Sequence, residues 1–159
     1  MGTEIERKFI VISQEWRTQA SPVHYIQGYL ALGPPASVRV RIAQNTAMLN
    51  IKQSTTDITR DEFEYEIPIS DAQHMLDNLC DGQTIQKNRY TLDYQGHRWE
   101  IDEFLDSNQG LCIAEIELNS VDEAYAPPPW IGNEVSQDHR YFNTYLAQHP
   151  FQTWPEKQA

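Results

Sequence analysis

Basic residues are in short supply. Lysine and arginine number 12 against 23 aspartates and glutamates, a formal net charge of −11. That shortage argues against nonspecific binding to DNA, RNA or an anionic membrane, each of which calls for a basic surface. It leaves room for a small anionic ligand, provided the few bases gather at one site. Cysteine is nearly absent: Cys80 and Cys112 lie far apart in no metal-ligand spacing and read as reduced thiols. The five histidines, His24, His74, His97, His139 and His149, form no zinc pattern. No apolar run is long enough to span a bilayer. The opening Met-Gly-Thr-Glu-Ile-Glu has neither a basic leader nor an apolar signal core, so a cytoplasmic location is expected. Internal repeats, low-complexity segments and linkers are also missing. With 40% hydrophobic and 22% charged residues, the composition fits one globular domain over residues 1–159. The oligomeric state stays open.

What is present is alternation. Short segments of period-two character are broken by turn signals. Strands are predicted over residues 3–12, 24–32, 37–43, 47–54, 59–67, 84–94, 97–105 and 111–118. Gly33-Pro34-Pro35, Gln44-Asn45-Thr46, Pro68 and Gln95-Gly96 separate them. Ser13 is read as capping a helical turn. Ser70-Asp71-Ala72-Gln73 is read as a capping box that opens a helix to about Cys80, closed by Asp81-Gly82. A second helix is predicted from Ser136 to about Gln148, stopped by Pro150. The tail to Ala159 shows no pattern.

Sorting the strands by parity exposes a charged stripe, because alternate side chains share a face at about 6.8 Å spacing. Glu4, Glu6 and Lys8 lie together, with Ile5 and Phe9 opposite. Arg39 and Arg41 share a face, and so do Lys87 and Arg89. Lys52 stands on the polar side of its strand. Arg60, Glu62, Glu64 and Glu66 align; Glu100 flanks Ile101 with Asp102, and Glu115 flanks Ile116 with Glu117. A sheet wetted on one face would account for any single pair. Two features favour another arrangement. Acids and bases are segregated by strand, and the helix from Ser136 carries Tyr141, Tyr145 and Leu146, which need an apolar surface to cover. The pattern therefore predicts an α+β, mainly β fold: a closed eight-stranded antiparallel barrel with a charged lumen and helices packed outside. Such an interior holds side chains or one small ligand. Its charges cannot be buried uncompensated. A linear polyanion with divalent metal would compensate them.

The stripe resembles the CYTH, or triphosphate tunnel metalloenzyme, family. The E-x-E-x-K signature stands as Glu4-Ile5-Glu6-Arg7-Lys8. It is followed in order by Arg39-Val40-Arg41, Lys52, Glu62-Phe63-Glu64, Lys87-Asn88-Arg89, Glu100-Ile101-Asp102 and Glu115-Ile116-Glu117. The resemblance runs from residue 3 to about 146, and the short length is similar to that of the compact bacterial members. The resemblance implies an eight-stranded tunnel that binds a small-molecule triphosphate along its length and hydrolyses inorganic triphosphate to pyrophosphate and phosphate. On that footing Lys8, Arg39, Arg41, Lys52, Lys87 and Arg89 bind phosphoryl oxygens. Glu4, Glu6, Asp102, Glu115 and Glu117 hold Mg²⁺ or Mn²⁺. Glu62 and Glu64 either join the metal ligands or orient the cations. Glu4 or Glu6 accepts the proton of the attacking water, and Lys8 stabilises or protonates the leaving oxygen.

Arg60 and Glu66 read instead as a structural pair at a tunnel rim. Tyr29 reads as a buried aromatic, with a gating role as the alternative. His139-Arg140-Tyr141 reads as packing and surface, with the final helix plugging one end as a further option. The signature fixes substrate class better than substrate. An adenylyl cyclase, a thiamine or nucleoside triphosphatase, or a non-catalytic polyphosphate- or nucleotide-binding module remain alternatives on the same fold.

Overall fold

A computed structural model describes residues 2–155. Its strands are β1 (Gly2–Val11), β2 (Val23–Ala31), β3 (Ala36–Ala43), β4 (Thr46–Gln53), β5 (Thr59–Ile67), β6 (Asp81–Tyr94), β7 (His97–Phe104), β8 (Cys112–Glu117) and β9 (Ile131–Glu134). The α-helices are α1 (Ile69–Asn78) and α2 (Asn143–Leu146). The hydrogen-bonded order is β5-β4-β3-β2-β6-β7-β8-β1-β9, and a further β5–β1 pairing closes eight of the strands into an antiparallel barrel. β1 is shared: Gly2 to Ile5 pair with β5, while Phe9 and Val11 pair with the short β9. At the β6–β7 turn, Gln95 and Gly96 both take positive φ (46° and 86°). That backbone follows the right-handed twist of a hairpin.

Register converts the parity pattern into a lumen. Lys8 faces Glu115, Glu115 faces Glu100, Arg89 faces Asp102 and Lys52 faces Glu62 across adjacent strands. The opposite parity builds two outer cores. One gathers Phe9, Trp16, Leu92, Trp99, Ile116 and Trp130. The other sets Val40 and Ala47 of the sheet against Ala72 and Leu76 of α1. α1 comes close because Gly28 has no side chain: a Cβ there would lie 2.6 Å from Cys80 Sγ.

A third core occupies the lumen side. Ile10, Ile85, Phe104 and Ile113 share parity with the charged residues of their strands, and Tyr29 with Tyr25 and Gln27, yet all five are apolar or aromatic. They pack with Val135, Tyr141, Leu146, Phe151 and Trp154 of the C-terminal segment. The barrel's inner face therefore turns apolar at one end, and that segment seals it. Gly82, at φ +76°, lets the start of β6 meet this seal, where Gln83 N donates to Ala147 O at 2.8 Å.

Several expectations need correction. The helix predicted from Ser136 to Gln148 is broken into a 3₁₀ turn at His139–Tyr141 and the four-residue α2. Its apolar residues close the barrel end and do not cover the outer face. The break follows from Asp138, whose carboxylate accepts from Arg140 N at 3.2 Å, and from Phe142, which is extended (φ −80°, ψ 142°). β9 was not predicted. α1 starts at Ile69 after Pro68, so Ser70 lies inside the first turn and caps nothing. The turn after Ser13 is a 3₁₀ helix from Glu15 to Gln19 with no side-chain cap. Asp81 and Gly82 open β6, and do not form a separate turn. In the tail, Phe151 and Trp154 are buried, and residues 156–159 lie outside the described residues.

Candidate active site

Seven of the 12 bases and seven of the 23 acids line one cavity of about 520 Å³. The bases are Lys8, Arg39, Arg41, Lys52, Arg60, Lys87 and Arg89, and the acids are Glu4, Glu6, Glu62, Glu64, Glu100, Glu115 and Glu117. The wall is formally balanced, so the protein's excess of acid lies elsewhere. Of the sequence-predicted site residues, only Asp102 is missing from that lining.

Asp102 lies beneath the wall, 1% exposed. Its Oδ1 accepts from Arg89 Nε at 2.7 Å, and its Oδ2 accepts from Arg89 Nη2 at 2.8 Å and pairs with Lys87 Nζ at 2.8 Å. Burial alone would raise its pKa, but the two cations override burial and hold it well below the usual carboxylate range. Lys87 shows the opposite balance. Complete burial, helped by the charge of Arg89, lowers it to about 8 against the pull of Asp102. Arg89 also reaches Glu100 at 2.9 Å, and its guanidinium shares the Tyr25 ring with that of Arg41, each 4.9 Å from the centroid. Burial and the neighbouring Arg39 and Arg89 lower Arg41 to about 10.

The remaining bases divide by partner. Lys52 Nζ stands 3.2 Å from Glu4 Oε2 and donates to Glu4 Oε1 at 3.5 Å. Burial lowers the pKa of Lys52 and Arg39 does so too, but Glu6, Glu4 and Glu62 more than offset them, leaving it raised. Lys8 lies 3.7 Å from Glu115. Asn50 donates to both Glu62 and Glu64, at 3.2 and 2.5 Å, tying those two carboxylates together.

The acids Glu100, Glu115 and Glu117 all have raised pKa values. Burial is the largest cause in each, joined by repulsion from neighbouring carboxylates: Glu6 for Glu115, Glu115 for Glu100, and Glu4 and Glu6 for Glu117. Among the described residues, no three His, Cys, Asp or Glu side chains form a ready-made metal cage. The carboxylates are instead spread over one wall and strained by their own charge. That donor set suits a hard divalent cation that keeps waters and takes substrate oxygens, as Mg²⁺ does. Glu100, which sequence reasoning placed on the stripe without a role, belongs to this group. Asp102, which it named as a metal ligand, is engaged with two cations.

Parity also brings in residues that the sequence reading passed over. Tyr25 lines the cavity beside Tyr29, and the fully buried Gln27 between them donates to Asn143 at 3.1 Å. Phe142, Asn143 and Thr144 form part of the lining where the C-terminal segment meets the lumen. No strand periodicity marks those three. Arg60 and Glu66 do not pair: Arg60 turns into the cavity and Glu66 is exposed. Tyr29 is a buried aromatic at the sealed end, 4% exposed.

Known proteins share this architecture. An inorganic triphosphatase of Acetivibrio thermocellus is 44% identical over 98% of this chain and all of its own length. One from Nitrosomonas europaea is 35% identical over 91% of this chain and 97% of its own. A crystal structure of an inorganic triphosphatase superposes with a TM-score of 0.65 at 33% identity, covering 92% of this chain and 95% of that one. A putative adenylyl cyclase from Hippeastrum, 14% identical with a TM-score of 0.57, shares the fold over 74% of this chain and 80% of its own. The CYTH domain model matches residues 2–145, across every strand of the barrel and the charged wall inside it, and the chain belongs to the CYTH domain family.

Proposed function

We propose that the protein hydrolyses inorganic triphosphate to pyrophosphate and phosphate with the help of Mg²⁺ or Mn²⁺. The observation that carries this reading is the cavity wall, charged at 14 of its 22 positions and small enough for one short anion. Such a wall fits an all-phosphate ligand better than one with an organic half. The names of the two curated relatives support the same reading.

Arg39 and Arg41 offer guanidinium forks with no carboxylate partner among the described residues, suited to bidentate contact with phosphoryl oxygens. Lys8, Lys52, Lys87 and Arg89 add charge from around the wall. Asp102 holds Lys87 and the Arg89 fork in place, so they meet the substrate without reorganising. Glu6, Glu100, Glu115 and Glu117 are the residues that would hold the divalent cation, which when bound polarises phosphoryl oxygens and acidifies water. Glu4 or Glu6 accepts the proton from the attacking water at a carboxylate oxygen, and Lys8 donates to the leaving phosphate oxygen. Positioning and charge stabilisation then supply most of the catalysis.

The test is product analysis. Purified protein is incubated with inorganic triphosphate, ATP or thiamine triphosphate, each with Mg²⁺ or Mn²⁺, and the products are separated by anion exchange. Equimolar pyrophosphate and phosphate from inorganic triphosphate is the expected result. No phosphate release from any substrate would sink the hydrolase reading, and cyclic AMP with pyrophosphate from ATP would establish a cyclase in its place.

A further inference from the structure

Among the cavity's bases, Lys8, Lys52, Lys87 and Arg89 each have a carboxylate within 4.0 Å. Arg60 has none among the described residues, although Glu4 is its cross-strand neighbour. Opposite charges so placed normally pair. Here the Glu4 carboxylate turns to Lys52 instead. Arg60 Nε is buried without an acceptor, a costly state for an N–H of a charged group. Its guanidinium lies 5.2 Å from the centroid of the Phe142 ring, and Lys8 Nζ approaches the same ring at 5.0 Å. An aromatic face attracts a cation but neutralises none of its charge. Phe142 itself is fixed by position, between the extended backbone after the 3₁₀ turn and the buried seal formed by Leu146, Phe151 and Trp154.

We infer that Arg60 is a further phosphate-binding residue, held ready by Phe142. With Lys8 it grips the end of a linear polyphosphate that lies against the sealed side of the barrel. The inference rests on the triphosphate reading above. It adds a seventh cation to the six assigned from sequence and makes Phe142 a positioning residue. The orphaned Nε–H of Arg60 is satisfied when a phosphoryl oxygen arrives.

Binding and turnover separate this inference from the activity on which it rests. Titration calorimetry with inorganic triphosphate in the absence of metal, together with steady-state kinetics with Mg²⁺, is run on wild type and on the Arg60→Ala, Arg60→Gln, Arg60→Lys and Phe142→Leu variants. Arg60→Ala and Arg60→Gln are expected to raise Kd and KM roughly ten- to hundredfold, the span for losing a hydrogen bond between charged groups. Arg60→Lys recovers part of the loss. Phe142→Leu keeps apolar bulk but removes the ring, and raises KM about two- to thirtyfold with little change in kcat. Arg60→Gln guards against Arg60→Ala failing to fold. Triphosphate binding by Arg60→Gln within about twofold of wild type overturns the inference, even if wild type is an active triphosphatase. Conversely, wild type that binds triphosphate but releases no product sinks the hydrolase reading, while weakened binding in Arg60→Gln would still uphold the role of Arg60.

Discussion

Asp102 shows how one side chain can organise two others. Both of its oxygens accept from buried cations, so Asp102→Asn strands Lys87 without its counter-charge and leaves Arg89 only Glu100. The expected cost is about 3–5 kcal/mol in urea unfolding of the ligand-free protein, and added triphosphate should recover part of it. A loss below about 1 kcal/mol would show that the two cations find other partners. Glu115 presents the reverse case. Its pKa is raised in the fold from an ordinary 4.5, by burial first and by Glu6 next. The stabilisation from its bound proton is complete below the unfolded value and is lost as pH rises through the folded one. Glu115→Gln should therefore raise the melting temperature of metal-free protein at pH 7, by roughly 2–4 °C per kcal/mol recovered. The gain should shrink toward zero near pH 4, and a uniform gain at all pH values would contradict the electrostatic cause. Parity made every charged lumen position legible in the sequence except their pairings. Whether Asp102 faces metal or Arg89, and whether Glu4 takes Lys52 or Arg60, depends on cross-strand register and side-chain reach, which spacing within a strand does not encode.

Elements carry a different balance of signals. α1 reaches the sheet over Gly28, where an added Cβ would meet Cys80 Sγ at 2.6 Å. Gly28→Ala should destabilise by about 1–3 kcal/mol through overpacking, and a second change, Cys80→Ala, should relieve part of that in thermal melts. Leu146 is wholly buried in the core that seals the barrel. Leu146→Ala should cost about 2–5 kcal/mol. It should also weaken triphosphate binding, because the neighbouring Phe142 and Asn143 lose their support. Unchanged affinity would mean that the cavity lining does not depend on the seal. The eight barrel strands are readable because alternation and the Gly-Pro and Gln-Gly turns agree with one another. The C-terminal segment was misread because Tyr141, Tyr145 and Leu146 fall at helical spacing, while the interruption comes from the Asp138 cap and the extended Phe142. β9 was invisible because four residues, Ile131-Gly132-Asn133-Glu134, are too few to show a period. It forms because β1 leaves β5 after Ile5 and offers a free edge.

At the scale of the whole molecule, charge is partitioned. The cavity wall balances its acids and bases, and the net −11 resides on the rest of the protein. A triphosphate must cross this negative field to reach the cations inside. Association of metal-free inorganic triphosphate, followed by stopped flow, should therefore speed up as salt rises from about 10 to 150 mM, while screening lengths fall from about 30 to 8 Å. Slowing over that range would mean that the mouth itself carries a positive field. Once bound, the ligand should protect the fold: at about 100 times Kd the stabilisation approaches 2.7 kcal/mol, visible as a rise in melting temperature.

Lys8 and Glu115 pair across the β1–β8 seam, yet they stand 107 residues apart in the chain (115 − 8). On the ribosome, the Glu6–Ile10 part of β1 must wait through the synthesis of every other barrel stave before β8 exists. The residues that close the barrel's end emerge later still. Until then the inner wall is open, and its mutually repelling carboxylates have only water and free ions to quiet them. Such long-range closure is the slow kind of folding. The open wall thus meets the cations of the surrounding solution before it has any cavity in which to hold them.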